Sequence, residues 1–260
     1  MGDGVSEKQI KERLQAAGIE NAAMEAKWLC ESLSGDALSA AVEKRAAHYP
    51  LQYLLGEWDF YRECYEVSED CLIPRADTEL LVEKAIELLP QGARFLDLCT
   101  GSGCVAISTL CARPDTSATA VDFFDKTLAL AGRNALRNGV SSRMEFKKAD
   151  VLAAPTSIFK GTYAAILANP PYITKEAMGD LQQEVRYEPS AALFGGDDGL
   201  DFYRAILEKW QGLLSPDGFF LFEIGFDQAE ALAALATQHG YRSRVWKDLG
   251  GNDRTVLLYR

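Results

Sequence analysis

From Arg94 onward, short apolar runs alternate with stretches whose apolar residues recur at helical spacing. The runs have the length of buried strands, and the stretches between them have the length of amphipathic helices. This alternation predicts an α/β sheet covered by helices on both faces. The last two runs follow each other without a helix, which predicts an antiparallel end to the sheet. The predicted strands are 94–98, 117–122, 144–147, 163–168, 219–224, 241–246 and 254–259, and the predicted helices are 103–112, 126–138, 201–213 and 226–238.

The chain before this region follows two other patterns. Residues 6 to about 47 carry apolar residues at helical spacing, with Ser6 as a candidate N-cap, and predict a small helical bundle. Between 58 and 73, aromatic and β-branched residues interrupted by Glu69 and Asp70 predict a β-hairpin. We therefore expect an N-terminal helical domain over 1–50, a β-hairpin linker over 51–76 and an α/β domain over 77–260.

The composition is that of a globular chain without a membrane-spanning segment. Of the 260 residues, 48% are hydrophobic and 25% are charged, and no apolar run is long enough to cross a bilayer. The segment from Met1 to Lys8 lacks the apolar core of a signal peptide, so we expect a cytoplasmic protein. The net charge of −11 argues against tight binding to nucleic acid, which needs basic residues, and suits a basic protein partner.

Cysteine and histidine patterns do not favour a metal site. The six cysteines include no pair with Cys-x-x-Cys spacing, and the only histidines are His48 and His239. We therefore expect no metal ion and interpret the cysteines as buried free thiols in a reducing compartment.

A glycine-rich turn follows the first predicted strand. Cys99-Thr100-Gly101-Ser102-Gly103 opens a predicted helix with a G-x-G-x-x-A pattern, and glycine lets the backbone approach a ligand closely. Asp122 ends the next strand, where a carboxylate can accept hydrogen bonds from both ribose hydroxyls of an adenosine. The combination predicts a cofactor that contains adenosine.

Two further acidic residues bear on which cofactor binds, a dinucleotide or S-adenosylmethionine. Asp97, at the end of the first strand, would repel a pyrophosphate but could pair with an α-ammonium group. Asp150 follows the third strand and could accept from an adenine amino group while Val151 packs on the ring, although Asp150 also fits an ordinary turn. The candidate cofactor residues are Asp97, Cys99, Thr100, Gly101, Ser102, Gly103, Asp122, Asp150, Val151 and Asn169.

The fourth predicted strand of this region ends in Asn169-Pro170-Pro171-Tyr172. Two prolines cannot extend a strand, because they offer no backbone N–H to the ladder. A planar NH₂ group could donate one hydrogen to the Asn169 side-chain oxygen and the other to the Pro170 carbonyl, with Tyr172 against its plane. A simple turn with a ring in the core is the alternative. The candidate catalytic residues are Asn169, Pro170 and Tyr172, and the candidate substrate-binding residues are these three with Pro171 and Arg75.

Together these features resemble the class I S-adenosylmethionine-dependent methyltransferases, and the Asn-Pro-Pro-Tyr group resembles those that methylate planar nitrogens. Ile73–Glu79, Tyr187–Pro189, Leu193–Leu200 and Asp248–Arg254 are similar to the HemK/PrmC family, and the likeness extends over about 50–260. The resemblance implies a Rossmann-like seven-stranded sheet behind a small helical domain. It also implies methyl transfer from S-adenosylmethionine, leaving S-adenosylhomocysteine, to the N5 amide nitrogen of the glutamine in the Gly-Gly-Gln motif of peptide chain release factors.

The resemblance also implies cofactor roles at the matching positions. It assigns Gly101 and Gly103 to the shape of the cofactor loop and Asp122 to the ribose. It places Asp150 and Val151 beside the adenine.

On the substrate side, the resemblance assigns Asn169, Pro170 and Tyr172 to the glutamine amide. The sequence departs from the family pattern at two positions. Cys99 stands where the family usually has Gly, and Ala76 stands where it usually has Pro. Neither departure touches the Asn-Pro-Pro-Tyr group.

Other readings remain open from the residues alone. A ribosomal-protein glutamine methyltransferase is a close alternative, although the Ile73–Glu79 stretch favours the release-factor branch. A DNA adenine-N6 methyltransferase would also hold a planar NH₂, but the acidic charge disfavours it. A fold that only binds a partner is a third. We expect a monomer in which Arg75 contacts the partner or braces the site and Glu223 braces it.

Overall fold

Helices occupy the N-terminal part of the chain, as the spacing of its apolar residues predicts. The computed structural model describes residues 5–260, so the first four residues, which begin the segment considered for a signal peptide, lie outside the described residues. Ser6 caps the first helix in a capping box with Gln9, which confirms the predicted N-cap. Ile10, Leu14 and Leu29 are fully buried in a core that belongs to this part alone. The helices are α1 (Glu7–Ala16), α2 (Ala22–Ser32), α3 (Gly35–Ala46) and the short α4 (Leu51–Leu55).

A two-stranded hairpin follows α4. Its strands, β1 (Glu57–Phe60) and β2 (Glu63–Glu66), pair antiparallel. The turn lies at 61–62, so the prediction that residues 69–70 interrupt the hairpin was wrong. Tyr61 has a left-handed φ of 58°, and a tyrosine at a turn gives no signal of that conformation in the sequence.

The alternating region folds as a seven-stranded sheet with an antiparallel end, as predicted. Successive residues of its central strands point to opposite faces: Leu221 lies in one buried cluster, whereas Phe220 and Phe222 lie in the other. Both faces are therefore covered. The strands are β3 (Arg94–Leu98), β4 (Ser117–Asp122), β5 (Met144–Lys148), β6 (Tyr163–Ala168), β7 (Leu214–Glu223), β8 (Arg242–Lys247) and β9 (Asp253–Tyr259).

The strand order is β5-β4-β3-β6-β7-β9-β8, and β9 runs antiparallel to both of its neighbours. The predicted helix 201–213 is helical throughout but irregular, because α8 continues as a π-helical turn over Ile206–Trp210 and a 3₁₀ turn over Gln211–Leu213. No helix among residues 5–260 has both the length and the hydropathy to cross a bilayer. The helices of this sheet domain are α5 (Glu79–Leu88), α6 (Cys104–Ala112), α7 (Asp125–Arg137), α8 (Asp201–Ala205) and α9 (Ala229–Gln238).

All six cysteines are free thiols, but they are less buried than the sequence suggests. Cys71 and Cys104 are buried, and the other four are partly exposed.

Arg45 of α3 joins the helical domain to the long loop 173–200 of the sheet domain. Its side chain is 4% exposed and pairs with Glu25 of α2 and with Glu184 of the loop, the latter at 2.7 Å. The Tyr187 hydroxyl donates to the Ala47 carbonyl at 3.1 Å. The loop is therefore fastened to the helical domain at two points.

Replacing Arg45 with methionine should lower the free energy of unfolding by about 3 kcal/mol or more, because Glu25 would keep its buried charge without a partner. Urea unfolding would measure the loss. Arg13→Met is the matched control: its ion pair with Glu43 is exposed, so its loss should stay below about 1 kcal/mol. Equal losses in the two variants would contradict a structural role for the buried pair.

Candidate active site

A pocket of about 350 Å³ opens at the carboxyl ends of the parallel strands. Parallel strands direct their carboxyl ends to one edge of the sheet, which is where ligands bind in open α/β folds. Three of the candidate residues, Gly103, Pro170 and Tyr172, are not among those that line it. The candidates that do line it are Arg75, Asp97, Cys99, Thr100, Gly101, Ser102, Asp122, Asp150, Val151, Asn169 and Pro171.

The glycine-rich loop after β3 uses the left-handed conformation three times, at Cys99, Gly101 and Gly103. Gly101 donates its N–H to Asp122 Oδ2 at 3.1 Å, which ties the loop to the end of β4. Gly103 lies behind the pocket, at the start of α6, where an added Cβ would come within 2.8 Å of Ile107 Cδ1. Gly101 therefore shapes the pocket wall, and Gly103 leaves room for the Ile107 side chain of α6.

The φ of 58° at Cys99 gives the physical reason why glycine is favoured at this position. A side chain in the left-handed region clashes with its own backbone, and glycine avoids this cost. Burial raises the pKa of the Cys99 thiol well above its ordinary value, so the thiol is neutral. The departure from the family pattern therefore adds backbone strain and no charge.

Asp97 is the most buried carboxyl group at the pocket, with 1% exposure. Burial raises its pKa to about 7, and a hydrogen bond from the Thr100 hydroxyl at 2.5 Å opposes this shift. Since the folded-state pKa lies above the ordinary 3.8, the free energy of unfolding falls as the pH rises between these two values. The ionised form of Asp97 therefore lowers the free energy of unfolding, and a positively charged ligand group beside Asp97 would offset this loss.

Burial also raises the pKa of Asp122, and hydrogen bonds from backbone N–H groups oppose this rise. These include Gly101 N–H to Oδ2 and Phe124 N–H to Oδ1 at 3.2 Å. Each carboxylate oxygen keeps a further lone pair for a ligand. Asp122 can therefore accept from hydroxyl groups while its position stays fixed.

Asn169 follows β6 directly and faces the pocket. Its Nδ2 donates to the Thr78 hydroxyl oxygen at 3.1 Å, so its other amide atom, the acceptor Oδ1, is available on the opposite side. Thr78 stands at the N-cap position of α5, but its side chain makes no capping bond to that helix. The Tyr172 hydroxyl donates to Glu223 Oε1 at 3.4 Å, which holds the ring from the end of β7.

The loop 193–200 packs directly on the backbone of the Asn-Pro-Pro-Tyr group. A Cβ at Gly195 would lie 2.6 Å from the Pro171 carbonyl oxygen, and one at Gly199 would collide with the Tyr172 carbonyl. Gln228 donates its side-chain amide to the carbonyl oxygens of Tyr172 and Gly199, at 3.1 and 3.2 Å. Gly195 and Gly199 are required because two backbone segments touch.

Arg75 pairs with Glu188, a buried carboxylate of the long loop. Glu188 also accepts the Ile73 N–H at 3.0 Å. Arg75 thus ties the connector between the domains to the long loop, and its expected bracing of the site stays a prediction. Contact between Arg75 and a partner stays a prediction.

Exposed apolar residues at the pocket were missed from the sequence. Phe123 and Phe124 follow Asp122, are about half exposed and stack edge to face at 5.1 Å. Leu152 lines the pocket beyond Val151. Two aromatic residues immediately after a strand end were the available signal. Among residues 5–260, no three His, Cys, Asp or Glu side chains are grouped in a way that would hold a metal ion.

Comparisons with known proteins identify the relatives of this chain. Residues 76–193 match the family described as "Methyltransferase small domain". The chain is 38% identical to the release factor glutamine methyltransferase of Moorella thermoacetica over 95% of both chains. It is 40% identical to the protein of the same name from Cereibacter sphaeroides, over 94% of this chain and 93% of the other. The crystal structure of a methyltransferase from Pyrococcus furiosus has the same fold, with a TM-score of 0.57 at 19% identity over 75% of this chain and 87% of that one.

The fold and the relatives imply S-adenosylmethionine as the methyl donor, and the pocket residues fit this molecule. The buried Asp97 can pair with an ammonium group, and Asp122 can accept from ribose hydroxyls. Val151 and Phe123 offer apolar surface to a flat ring. The pocket size lies within the range of about 300–1,000 Å³ of small-molecule sites.

Cys99→Gly should be more stable than Cys99→Ala by about 1 kcal/mol, because only glycine relieves the positive φ. Both variants lose the thiol, so the difference between them isolates the backbone strain. Urea unfolding of the two variants provides the measurement. An alanine variant at least as stable as the glycine variant would contradict strain at this position.

The affinity for S-adenosylmethionine should fall as the pH drops through about 7, because a protonated Asp97 cannot pair with an ammonium group. Calorimetric titration should show the dissociation constant rising by up to about tenfold per pH unit on the acid side. Asp97→Asn should bind more weakly at alkaline pH and lose this slope. Asp122→Asn is the control and should keep the slope near neutrality. A wild-type slope in Asp97→Asn would contradict the assignment.

Proposed function

Because the chain belongs to the family of release factor glutamine methyltransferases, we propose that it transfers a methyl group from S-adenosylmethionine to the glutamine of the Gly-Gly-Gln motif in peptide chain release factors. The reacting atom is the side-chain amide nitrogen, N5. The observation that carries this proposal is that Asn169 lines the pocket and has its Nδ2 bound by Thr78, which leaves its Oδ1 as the acceptor for a donor group. A substrate NH₂ group is the matching donor.

Asn169 and Pro170 act on a nitrogen that is a poor nucleophile, because its lone pair is delocalised into the amide carbonyl. The cofactor, when bound, supplies an electrophilic methyl group. Asn169 Oδ1 and the Pro170 carbonyl oxygen each accept a hydrogen bond from one N–H of the substrate amide, and together they fix its rotation. Both hydrogen bonds strengthen as positive charge develops on nitrogen, so they stabilise the transition state more than the ground state.

Positioning supplies much of the remaining acceleration. Tyr172, held by Glu223, lies against the plane of the substrate amide. Alignment of two reactants in one site can contribute up to roughly 7–11 kcal/mol in favourable cases. No strong base is needed, because a methylated amide nitrogen that carries positive charge is acidic and loses its proton to water.

The loop after β3 holds the cofactor in the same pocket that Asn169 lines. Thr100, Gly101 and Ser102 form its wall, and Asp97 binds the ammonium group. Asp122 accepts from the ribose hydroxyls. The adenine lies between Asp150 and Val151, and its proposed contacts are a hydrogen bond to the former and packing on the latter.

The helical domain recognises the protein substrate, because a single glutamine offers too little surface for a specific complex. Its link to the long loop 173–200 beside the site, through Arg45 and Glu184, supports this role. The net charge of −11 favours a basic protein partner over nucleic acid. We propose a cytoplasmic monomer that acts on free release factor.

Purified release factor incubated with the protein and S-adenosylmethionine should gain one methyl group, which mass spectrometry would locate on the glutamine of the Gly-Gly-Gln motif. A Gly-Gly-Asn release factor should gain none, because its amide cannot reach the same position. Asn169→Ala should keep its affinity for S-adenosylmethionine and lose turnover by about a hundredfold or more.

Three outcomes would contradict the proposal. Methylation of the Gly-Gly-Asn protein would show that the methyl group goes to a residue other than the glutamine of the motif. Near-normal turnover by Asn169→Ala would remove the role of that residue. Wild-type protein that binds S-adenosylmethionine and leaves the release factor unmodified would refute the substrate while retaining the cofactor.

A further inference from the structure

The backbone of residues 170–172 makes few hydrogen bonds of its own. Two of its residues are prolines, which have no N–H group, and β6 has ended before them. Among residues 5–260, the one hydrogen bond that reaches this backbone is donated by Gln228, whose Nε2 lies 3.1 Å from the Tyr172 carbonyl oxygen. The path of the chain beside the pocket therefore depends on a side chain at the start of α9.

Gln228 binds two further segments with the same side chain. Nε2 also donates to the Gly199 carbonyl oxygen at 3.2 Å, and Oε1 accepts the Gly225 N–H at 2.9 Å. Two carbonyl oxygens at one end and an N–H group at the other leave the amide only one orientation that satisfies all three bonds. The residue is 7% exposed, so a lost bond would leave a buried polar group without a partner. Gln228 thus joins the Asn-Pro-Pro-Tyr group, the loop 193–200 and the end of β7.

The hold on Tyr172 extends to Pro170, whose carbonyl oxygen accepts from the substrate in the proposed reaction. A proline ring fixes φ, and a proline that precedes another proline is restricted in ψ as well. The backbone between these two carbonyl groups therefore has few free torsions, and the groups move together. A shift of the Tyr172 carbonyl would displace the substrate acceptor.

We propose that Gln228 is a positioning residue for methyl transfer: by binding the Tyr172 carbonyl oxygen, it holds the Pro170 carbonyl in place for the substrate amide. This inference rests on the proposed function. Gln228 does not line the pocket, so it acts through the backbone that it binds. Its loss should therefore lower the rate of transfer and leave the affinity for S-adenosylmethionine unchanged.

Asn134 of α7 offers a matched control at the cofactor end of the pocket. It is fully buried, and its Nδ2 donates to the carbonyl oxygens of Glu66 and Ser102, both at 3.0 Å. Its Oδ1 accepts the Glu66 N–H at 2.7 Å, so this amide also makes three bonds to the backbone. Ser102 belongs to the glycine-rich loop and lines the pocket. Loss of the Asn134 amide would loosen the cofactor wall and leave the segment 170–172 in place.

The test compares wild type with Gln228→Met, Gln228→Glu and Asn134→Leu in methyl transfer to release factor at saturating S-adenosylmethionine. Gln228→Met removes all three hydrogen bonds. Gln228→Glu keeps the shape and the bond to Gly225, but its ionised carboxyl group loses both donors. Each Gln228 variant should lower kcat by about tenfold to a hundredfold, because small displacements of a reacting group have effects of this size. Calorimetric titration should show wild-type affinity for S-adenosylmethionine in both Gln228 variants and weaker binding in Asn134→Leu.

Two results of these assays would overturn the proposal. Wild-type kcat in Gln228→Glu would do so, because the two donated bonds are the ones that this variant lacks. An equal loss of affinity for S-adenosylmethionine in the Gln228 and Asn134 variants would also do so, because it would indicate general damage to the domain.

Two backbone hydrogen bonds just beyond the Asn-Pro-Pro-Tyr group report on the position of this segment without turnover. The Ile173 N–H donates to the Leu193 carbonyl oxygen at 2.8 Å, and the Gly195 N–H donates to the Ile173 carbonyl oxygen at 2.9 Å. Both bonds join the segment to the loop 193–200, which Gln228 also holds. Loss of the Gln228 bonds should therefore open them more often and speed the exchange of the two amide hydrogens.

Amide hydrogen exchange followed by NMR should be faster at Ile173 and Gly195 in both Gln228 variants than in wild type, and unchanged there in Asn134→Leu. Unchanged exchange in the Gln228 variants would overturn the positioning role even if the release factor is methylated. Faster exchange throughout the central strands would overturn it as well. If wild type leaves the release factor unmodified while the local difference is observed, the proposed function fails and the hold of Gln228 on the segment stands.

Discussion

The site depends on a strand that cannot continue. Two prolines after Asn169 remove the ladder donors, so β6 must end there and the backbone must leave the sheet. The chain that leaves the sheet is held by segments distant in sequence: Gly195 packs on it, and Gln228 binds its carbonyl oxygens. The reactive edge is thus set by the backbone, and the side chains around it adapt to that path.

Buried acidic groups dominate the electrostatics of this edge. Asp97, Asp122 and Glu223 each have a pKa raised by burial, because a low-dielectric environment disfavours the charged form. Such groups cost folding stability near neutral pH and bind cations and hydrogen-bond donors more strongly in return. The pocket is therefore arranged for a cofactor that carries positive charge and for a substrate that presents N–H groups.

The sequence predicted the sheet and the glycine-rich loop because their signals are local. Apolar runs mark buried strands wherever they occur, and three of the first four predicted strands of the sheet have the observed bounds. The hairpin turn was misplaced because Tyr61 carries no sign of its left-handed conformation. The contact between Thr78 and Asn169 joins residues 91 positions apart, and no pattern in a single sequence encodes such a pair. The sequence therefore predicted which residue types lie at the site, but it did not predict which distant side chains contact them.

The long loop beside the site is fastened along its length. Glu184 binds Arg45, Glu188 binds Arg75, and Ile173 donates its N–H to the Leu193 carbonyl. Ordering a flexible loop costs roughly 1–2 kcal/mol of backbone entropy per residue, which would weaken any complex that had to order it. In this protein the loop is already ordered in the folded chain, so binding a partner does not require this loss of entropy. Encounter with the release factor can then approach rigid-body docking, with a rate set by diffusion and charge rather than by rearrangement of the loop.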